Sequence, residues 1–263
     1  KILNNEKYMG GSLAIANNLS SFCKSISVLF FIGEKEEDKK FIQSNSAKNI
    51  KLYFLRKKNS KTLLKTRYVD NFDNRKLIGM YTVDDKMISS NEEKKLLKQL
   101  NALSKKNNLI IVSDYGHGMF SPSVVDNISK IKKYKSLNAQ INSTNMGFHN
   151  IRKYKNIENV IINASELRHE MRDRDGKLED LGKKLKKDLK SKNIIVTEGR
   201  AGALMIDNKN QIIRCPAFAS TSIDKVGTGD TMLAFLSVCL FAKIESKLSL
   251  FIASLAAAQN LQT

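Results

Sequence analysis

Three short apolar runs, Leu109–Ser113 (LIIVS), Asn159–Asn163 (NVIIN) and Asn193–Thr197 (NIIVT), each lie beside a segment of helical period, and this alternation restricts the chain to few folds. The helical patterns are Pro122–Lys132 after the first run, Ser165–Met171 after the second and Gly182–Lys192 before the third. Runs of β-type residues without polar alternation are buried on both faces, as happens when crossover helices cover a parallel sheet. The predicted class is therefore α/β with a mainly parallel central sheet. Ser89, followed by Glu92 and Glu93, marks a further helix start leading into Lys94–Leu103.

The stretch from Ile50 to Val83 has a different texture. Lys51–Leu55, Leu63–Val69 and Lys76–Val83 are read as successive antiparallel strands joined by polar turns such as Asp70–Asn74. They predict a small β-strand lid at about residues 50–83, set off from the main sheet. No internal repeat or low-complexity linker interrupts the chain, so one domain over residues 1–263 is expected.

Gly (13) and Pro (2) are sparse and 41% of residues are hydrophobic, which excludes collagen-like and broadly disordered chains. The longest apolar stretch, Met232–Ala242, is shorter than the ~18 residues a bilayer requires, so no membrane association is expected. Cys23, Cys215 and Cys239 form no CxxC pair, and a cytoplasmic chain without disulfides is expected. His117, His149 and His169 lack the spacing of a metal hydrolase. The chain opens on Lys1 without a signal-like segment, and its natural N-terminus is expected further upstream.

The net charge of +19 falls almost wholly before residue 201, because the remainder holds five basic against four acidic residues. Such an excess suits nucleic acid, an anionic surface or a phosphorylated small substrate. Its densest run, Gly182–Lys192 (GKKLKKDLKSK), continues Leu181, Leu185 and Leu189 at four-residue spacing, the pattern of an amphipathic helix with solvated lysines. Aromatics are 7%, Trp is absent and no basic–aromatic alternation offers a stacking platform, so nucleic acid is a disfavoured partner.

The segment richest in chemistry is Ile223–Phe235 (IDKVGTGDTMLAF). Gly227, Thr228 and Gly229 turn into an apolar helix, with Asp230 in its first turn. Amides at a helix N-terminus form an anion site, and glycines let a ligand approach. A carboxylate there can take a proton from a hydroxyl while the amides stabilise charge on transferred phosphoryl oxygens. The same residues also suit a tight turn and a capped helix. Asn163 and Glu166, three residues apart, equally fit a capping box.

The Gly227–Asp230 segment resembles the DTxGAGD signature of the ribokinase-like (PfkB) sugar kinases. Further matches follow in that family's order. Gly10-Gly11 leads into a helix containing Asn18. Ser113-Asp114-Tyr115 with Gly118 resembles the SDYxxG of the bacterial heptose-7-phosphate kinase branch, the kinase domain of ADP-heptose synthase. Asn163 to Glu166 matches NxxE, and Thr197, Gly199 and Gly202 fall in a stretch similar to TxGxxG. The resemblance implies a three-layer α/β/α sandwich with a lid, and an ATP-dependent kinase acting on a sugar or sugar phosphate such as a heptose 7-phosphate. The alternative is a catalytically silent module that binds nucleotide or sugar phosphate.

Carried over by position, the resemblance makes Asp230 the catalytic base and Gly227, Thr228 and Gly229 the anion hole. Asn163 and Glu166 would organise Mg2+ and the ATP phosphates, Glu166 through metal-bound water. Thr197, Gly199 and Gly202 would lie against the nucleotide. Asp224 and the carbonyl of Val226 match a monovalent-cation site, such as one for K+. On the sugar side stand Gly10, Gly11 and Asp114, with Lys65 and Arg67 on one face of a lid strand, suited to a phosphate or simply to a solvated face. Asn142 and Asn145 can hydrogen-bond sugar hydroxyls or form turns. Ala14 stands where many relatives have asparagine, and Lys225-Val226 replaces the usual Thr-Val or Val-Thr. The family's first strand, ending in Gly-Asp, is expected to be missing from this sequence. The resemblance further implies a homodimer through the lid and a fused or separate nucleotidyltransferase.

Overall fold

The computed structural model describes residues 4–70, 72, 76–141, 145, 147, 149–218 and 227–260. In chain order the first elements are α1 (Ser12–Leu19), β1 (Ile26–Ile32), α2 (Glu36–Ser44), β2 (Ile50–Arg56), β3 (Leu64–Val69), β4 (Lys76–Thr82) and α3 (Ser90–Lys106). They are followed by β5 (Leu109–Asp114), α4 (Pro122–Lys130), β6 (Tyr134–Ala139), β7 (Asn159–Asn163), α5 (Ala164–Met171) and α6 (Leu178–Leu189). The chain continues through β8 (Asn193–Thr197), β9 (Ala203–Ile206), β10 (Ile212–Cys215), α7 (Thr228–Phe241) and α8 (Ser246–Gln259).

Six strands form the main sheet in the order β10-β9-β8-β7-β6-β5. β5 to β8 run parallel, while β9 and β10 return antiparallel at the far edge. The continuous apolar runs serve two cores at once. Val160, Ile162, Ile194 and Val196 pack with Leu167, Leu181 and Leu185 of α5 and α6 on one face. Their neighbours Ile161 and Ile195 pack with Leu233 and Leu236 of α7, Leu250 of α8 and Ile15 of α1 on the other. Successive strand residues point to opposite faces, so one apolar run supplies both layers of the sandwich. The buried asparagines of the strands satisfy one another, Asn193 donating to Asn159 (2.8 Å) and Asn159 to Ser136 (3.1 Å).

α6 buries Leu181, Leu185 and Leu189 and leaves most of its lysines on the outer face, as its spacing predicts. α3 starts at a complete capping box, with the Ser89 side chain and Glu92 serving each other's amides. Among the described residues no helix is long and apolar enough to cross a membrane.

The lid is smaller than the sequence predicts. β2 does not join it: Ile50 to Arg56 pair in parallel with Ile26 to Ile32 of β1. The cause is packing, since Ile50, Leu52 and Phe54 share a separate core with Val28, Phe30, Ile32 and Ile42. Only β3 and β4 form the antiparallel hairpin, with Lys65 opposite Tyr81 and Arg67 opposite Gly79. Among the described residues β1 pairs with no strand but β2, and β5 with none but β6. Leu29 and Phe31 of β1 and Ile110 and Val112 of β5 belong to one hydrophobic cluster and also border the cavity described below.

Candidate active site

The parallel strands β5, β7 and β8 end on one cavity of about 3960 Å³. The C-terminal edge of a parallel sheet is where such folds place ligands. α7 meets this edge with its N-terminus. Gly227, at φ 85, caps the helix, and its carbonyl accepts from the Thr231 amide (2.8 Å). Asn18 of α1 donates to the Thr231 hydroxyl (3.1 Å), which docks the helix after Gly10-Gly11 against the first turn of α7.

Asp230 lies in that turn and lines the cavity. Its Oδ1 accepts a hydrogen bond of 2.7 Å from the hydroxyl of Tyr115, in the loop after β5. Burial raises the Asp230 pKa above the ordinary carboxylate value, while the Tyr115 hydrogen bond and the Lys65 ammonium pull it down. Lys65 reaches in from the lid, with Nζ 5.7 Å from the centre of the Tyr115 ring. Arg67 shares its face, and both cations act on Tyr81, which lies opposite Lys65.

Two glycines of the site answer to nothing in the fold. A Cβ at Gly229 or at Gly10 would meet no atom within 4 Å, and neither residue has positive φ. Both border the cavity. Tight-turn geometry does account for Gly227 and for Gly11 (φ 58), where a Cβ would stand 3.2 Å from the Tyr115 ring. Helix-start amides beside an open Gly229 have the form of an anion cradle.

Asn163 and Glu166 form the capping box of α5 that their spacing allows. Glu166 Oε2 accepts from the Asn163 amide (3.1 Å) and Oε1 from the Ile141 amide (3.0 Å). Burial raises its pKa and these two hydrogen bonds lower it. The pair nevertheless lines the cavity, together with Thr197, Gly199 and Gly202 after β8. Gly199 (φ 60) has open space where a Cβ would be, whereas Gly202 (φ 97) is required because a Cβ would fall 2.1 Å from the Cys215 carbonyl oxygen.

Asp114, expected on the sugar side, borders the cavity and is held by partners within the protein. Only 1% of the residue is exposed, and its carboxylate accepts from the Tyr154 hydroxyl (2.7 Å) and the Gly116 amide (3.0 Å) and pairs with Lys153 (2.8 Å). Those groups satisfy the carboxylate inside the protein, so Asp114 anchors the loop that carries Tyr115. Asn145 also works within the fold, donating to the Tyr115 carbonyl (3.2 Å). Asn142, Asp224 and Val226 lie outside the described residues. In the sequence Tyr115 figures only as part of the SDYxxG stretch, with no role of its own. The signal available was its position directly after a strand whose end borders the cavity.

A family model described as pfkB family carbohydrate kinase matches residues 2–263. The chain belongs to the pfkB carbohydrate kinase family. Within this family it is 29% identical over 248 residues to the bifunctional protein HldE of Campylobacter jejuni subsp. doylei, covering 93% of this chain and 51% of that protein. The corresponding protein of Helicobacter pylori is 25% identical over 258 residues, covering 96% of this chain and 54% of its own length. The chain thus spans about half the length of the curated relatives it matches. Among solved structures, Escherichia coli phosphofructokinase-2 in complex with potassium superposes with a TM-score of 0.76 at 15% identity, covering 96% of this chain and 81% of the other. Ribokinase from Thermotoga maritima gives a TM-score of 0.68 at 16% identity, covering 96% and 79%. Both pfkB neighbours carry the ribokinase-like fold found here.

Proposed function

We propose that this pfkB domain transfers the γ-phosphoryl group of ATP to a hydroxyl of a sugar phosphate, with a heptose 7-phosphate the foremost candidate. The observation that carries the reading is the cavity-facing pair of Asp230 and the α7 N-terminus, flanked by glycines that the fold does not need. In the proposed step the substrate hydroxyl gives its proton to Asp230 as its oxygen bonds to the γ-phosphorus and the bond to the ADP oxygen breaks. Amides at Gly227, Thr228 and Gly229 meet the charge on the phosphoryl oxygens. Thr197, Gly199 and Gly202 border the nucleotide, and Lys65 and Arg67 bring two cations to the sugar-phosphate side.

Glu166 and Asn163 fit a magnesium ion held through water: the carboxylate lines the cavity, and among the described residues each of its oxygens accepts one amide. Magnesium when bound would neutralise phosphate charge. A monovalent cation at Asp224 and Val226 belongs to the same reading. So does one ribokinase-like domain over residues 1–263. A nucleotidyltransferase, fused or separate, belongs to the same reading, in keeping with relatives that are named bifunctional.

ADP release with Mg-ATP over heptose 7-phosphate, hexose phosphates, ribose and nucleosides tests the proposal. Release that depends on one sugar phosphate and disappears in Asp230→Asn is expected. ATP binding without release from any sugar would instead favour a silent nucleotide- or sugar-phosphate-binding module.

The partner reading extends to the lid. The face opposite Lys65 and Arg67 carries Leu64, Tyr68, Ile78 and Met80, all exposed. An isolated two-stranded hairpin is marginal in water, and a second copy of this face would bury these side chains. Sedimentation is expected to give a dimer that Ile78→Asp converts to a folded monomer. A monomeric wild-type chain at micromolar concentration would end the dimer reading.

A further inference from the structure

Asp114 and Tyr115 stand side by side after β5 and do different things. The first is locked into the protein by Tyr154, Lys153 and the Gly116 amide. The second extends its hydroxyl to Oδ1 of Asp230, 115 residues away in sequence. The ring is seated against Gly11, where any Cβ would crowd it at 3.2 Å. His117 stacks beside it at 6.4 Å between ring centres and is itself held by Asp85 (2.6 Å). The Gly-Gly turn, the end of β5 and the start of α7 therefore meet at a single hydroxyl.

We infer that Tyr115 is a positioning residue for phosphoryl transfer: its hydroxyl, seated against Gly11, fixes one oxygen of the Asp230 carboxylate and leaves the other to receive the substrate proton. The inference rests on Asp230 being the base. A carboxylate so buried would otherwise be free to turn and would hold its proton more tightly, since burial disfavours charge. Toward Asp230 the phenol is the donor, because burial and the neighbouring carboxylate raise its own pKa far above the working range. Among the described residues, the charged and titratable groups acting on Asp230 are Tyr115 from the loop after β5 and Lys65 from β3. Both pull its pKa down, so removing the phenol leaves burial less opposed.

The test is Tyr115→Phe in the full chain, with the sugar phosphate that supports turnover, beside wild type and Asp230→Asn. Loss of one hydrogen bond to a charged group predicts a fall in kcat of about tenfold to a hundredfold, with KM for ATP unchanged. The acid limb of the kcat profile moves to higher pH, a shift that mere loosening of the loop would not produce. Placing 3-fluorotyrosine at position 115 restores a stronger donor in the same shape, and it returns kcat while moving the limb to lower pH. If Asp230→Asn is inactive but Tyr115→Phe keeps wild-type kcat and acid limb, the positioning role is wrong and the base stands. If Asp230→Asn retains turnover, the base assignment falls and the role of Tyr115 falls with it. Should Tyr115→Phe fail to fold, the fluorotyrosine limb decides, and an unmoved limb overturns the inference.

Discussion

Asp230→Asn lowers kcat by about 10²–10⁴-fold, the range for losing a general base, while ATP still binds. The amide is close to the carboxylate in shape and its oxygen can still accept from Tyr115, so the α7 N-terminus stays in place. What disappears is the acceptor for the substrate proton. Residual turnover then reports the contribution of the helix amides and of binding alone. Steady-state ADP release gives kcat, and calorimetric titration with a non-hydrolysable ATP analogue gives the affinity. Equal losses in turnover and nucleotide affinity would instead make Asp230 a part of the nucleotide pocket, and unchanged turnover would move the base elsewhere. The pH dependence has a defined sign. Asp230 must be ionised to accept a proton, so kcat falls as pH falls through its pKa. Burial places that fall higher than for a free carboxylate, while Tyr115 and Lys65 draw it back.

The parts of this architecture that were legible in the sequence are those set by local pattern. β7 and β8 span the same residues as their apolar runs, because both faces of each strand are buried and no polar alternation blurs the ends. The capping boxes of α3 and α5 were readable because cap chemistry acts over three residues. β1 carries an equally apolar run, ISVLFFI, but α2 after it buries only Ile42, so the strand–helix–strand unit shows no helical period. β2 reads as a lid strand because alternation identifies a strand without identifying its partner. The site divides in the same way. The glycine-rich turn and Asp230 announce themselves in one stretch of sequence, and the motif order along the chain carries the family. The meeting of Tyr115 with Asp230 is written in neither segment, because it arises only when β5 and α7 pack. Asp114 shows the converse: its neighbours in sequence suggest a ligand contact, and only the fold reveals Tyr154 and Lys153 around it.

Opposite outcomes are expected at two glycines of neighbouring motifs, Gly118 and Gly229. Gly118 sits at φ 77, and a Cβ there would lie 2.0 Å from the backbone oxygen of Lys86. Its carbonyl accepts from the Ile88 amide (3.0 Å), so this contact ties the loop carrying Tyr115 to the segment leading from the lid into α3. Gly118→Ala adds left-handed strain and a clash with main chain that no rotamer relieves. A loss of about 3 kcal/mol follows, or roughly 10 °C in Tm for a chain of this size. Gly229 has neither problem, since its φ is ordinary and a Cβ would project into open space. In the first turn of α7, alanine should leave Tm unchanged or slightly raised. Its methyl group would nonetheless stand where a phosphoryl oxygen must approach the helix amides, and kcat/KM for ATP falls by at least tenfold, more than 1.4 kcal/mol of binding lost to obstruction. Thermal unfolding and ADP release on both variants separate the roles. An active Gly229→Ala chain with wild-type kinetics would mean that no anion approaches that turn. A Gly118→Ala chain as stable as wild type would mean that the contact with Lys86 yields without strain.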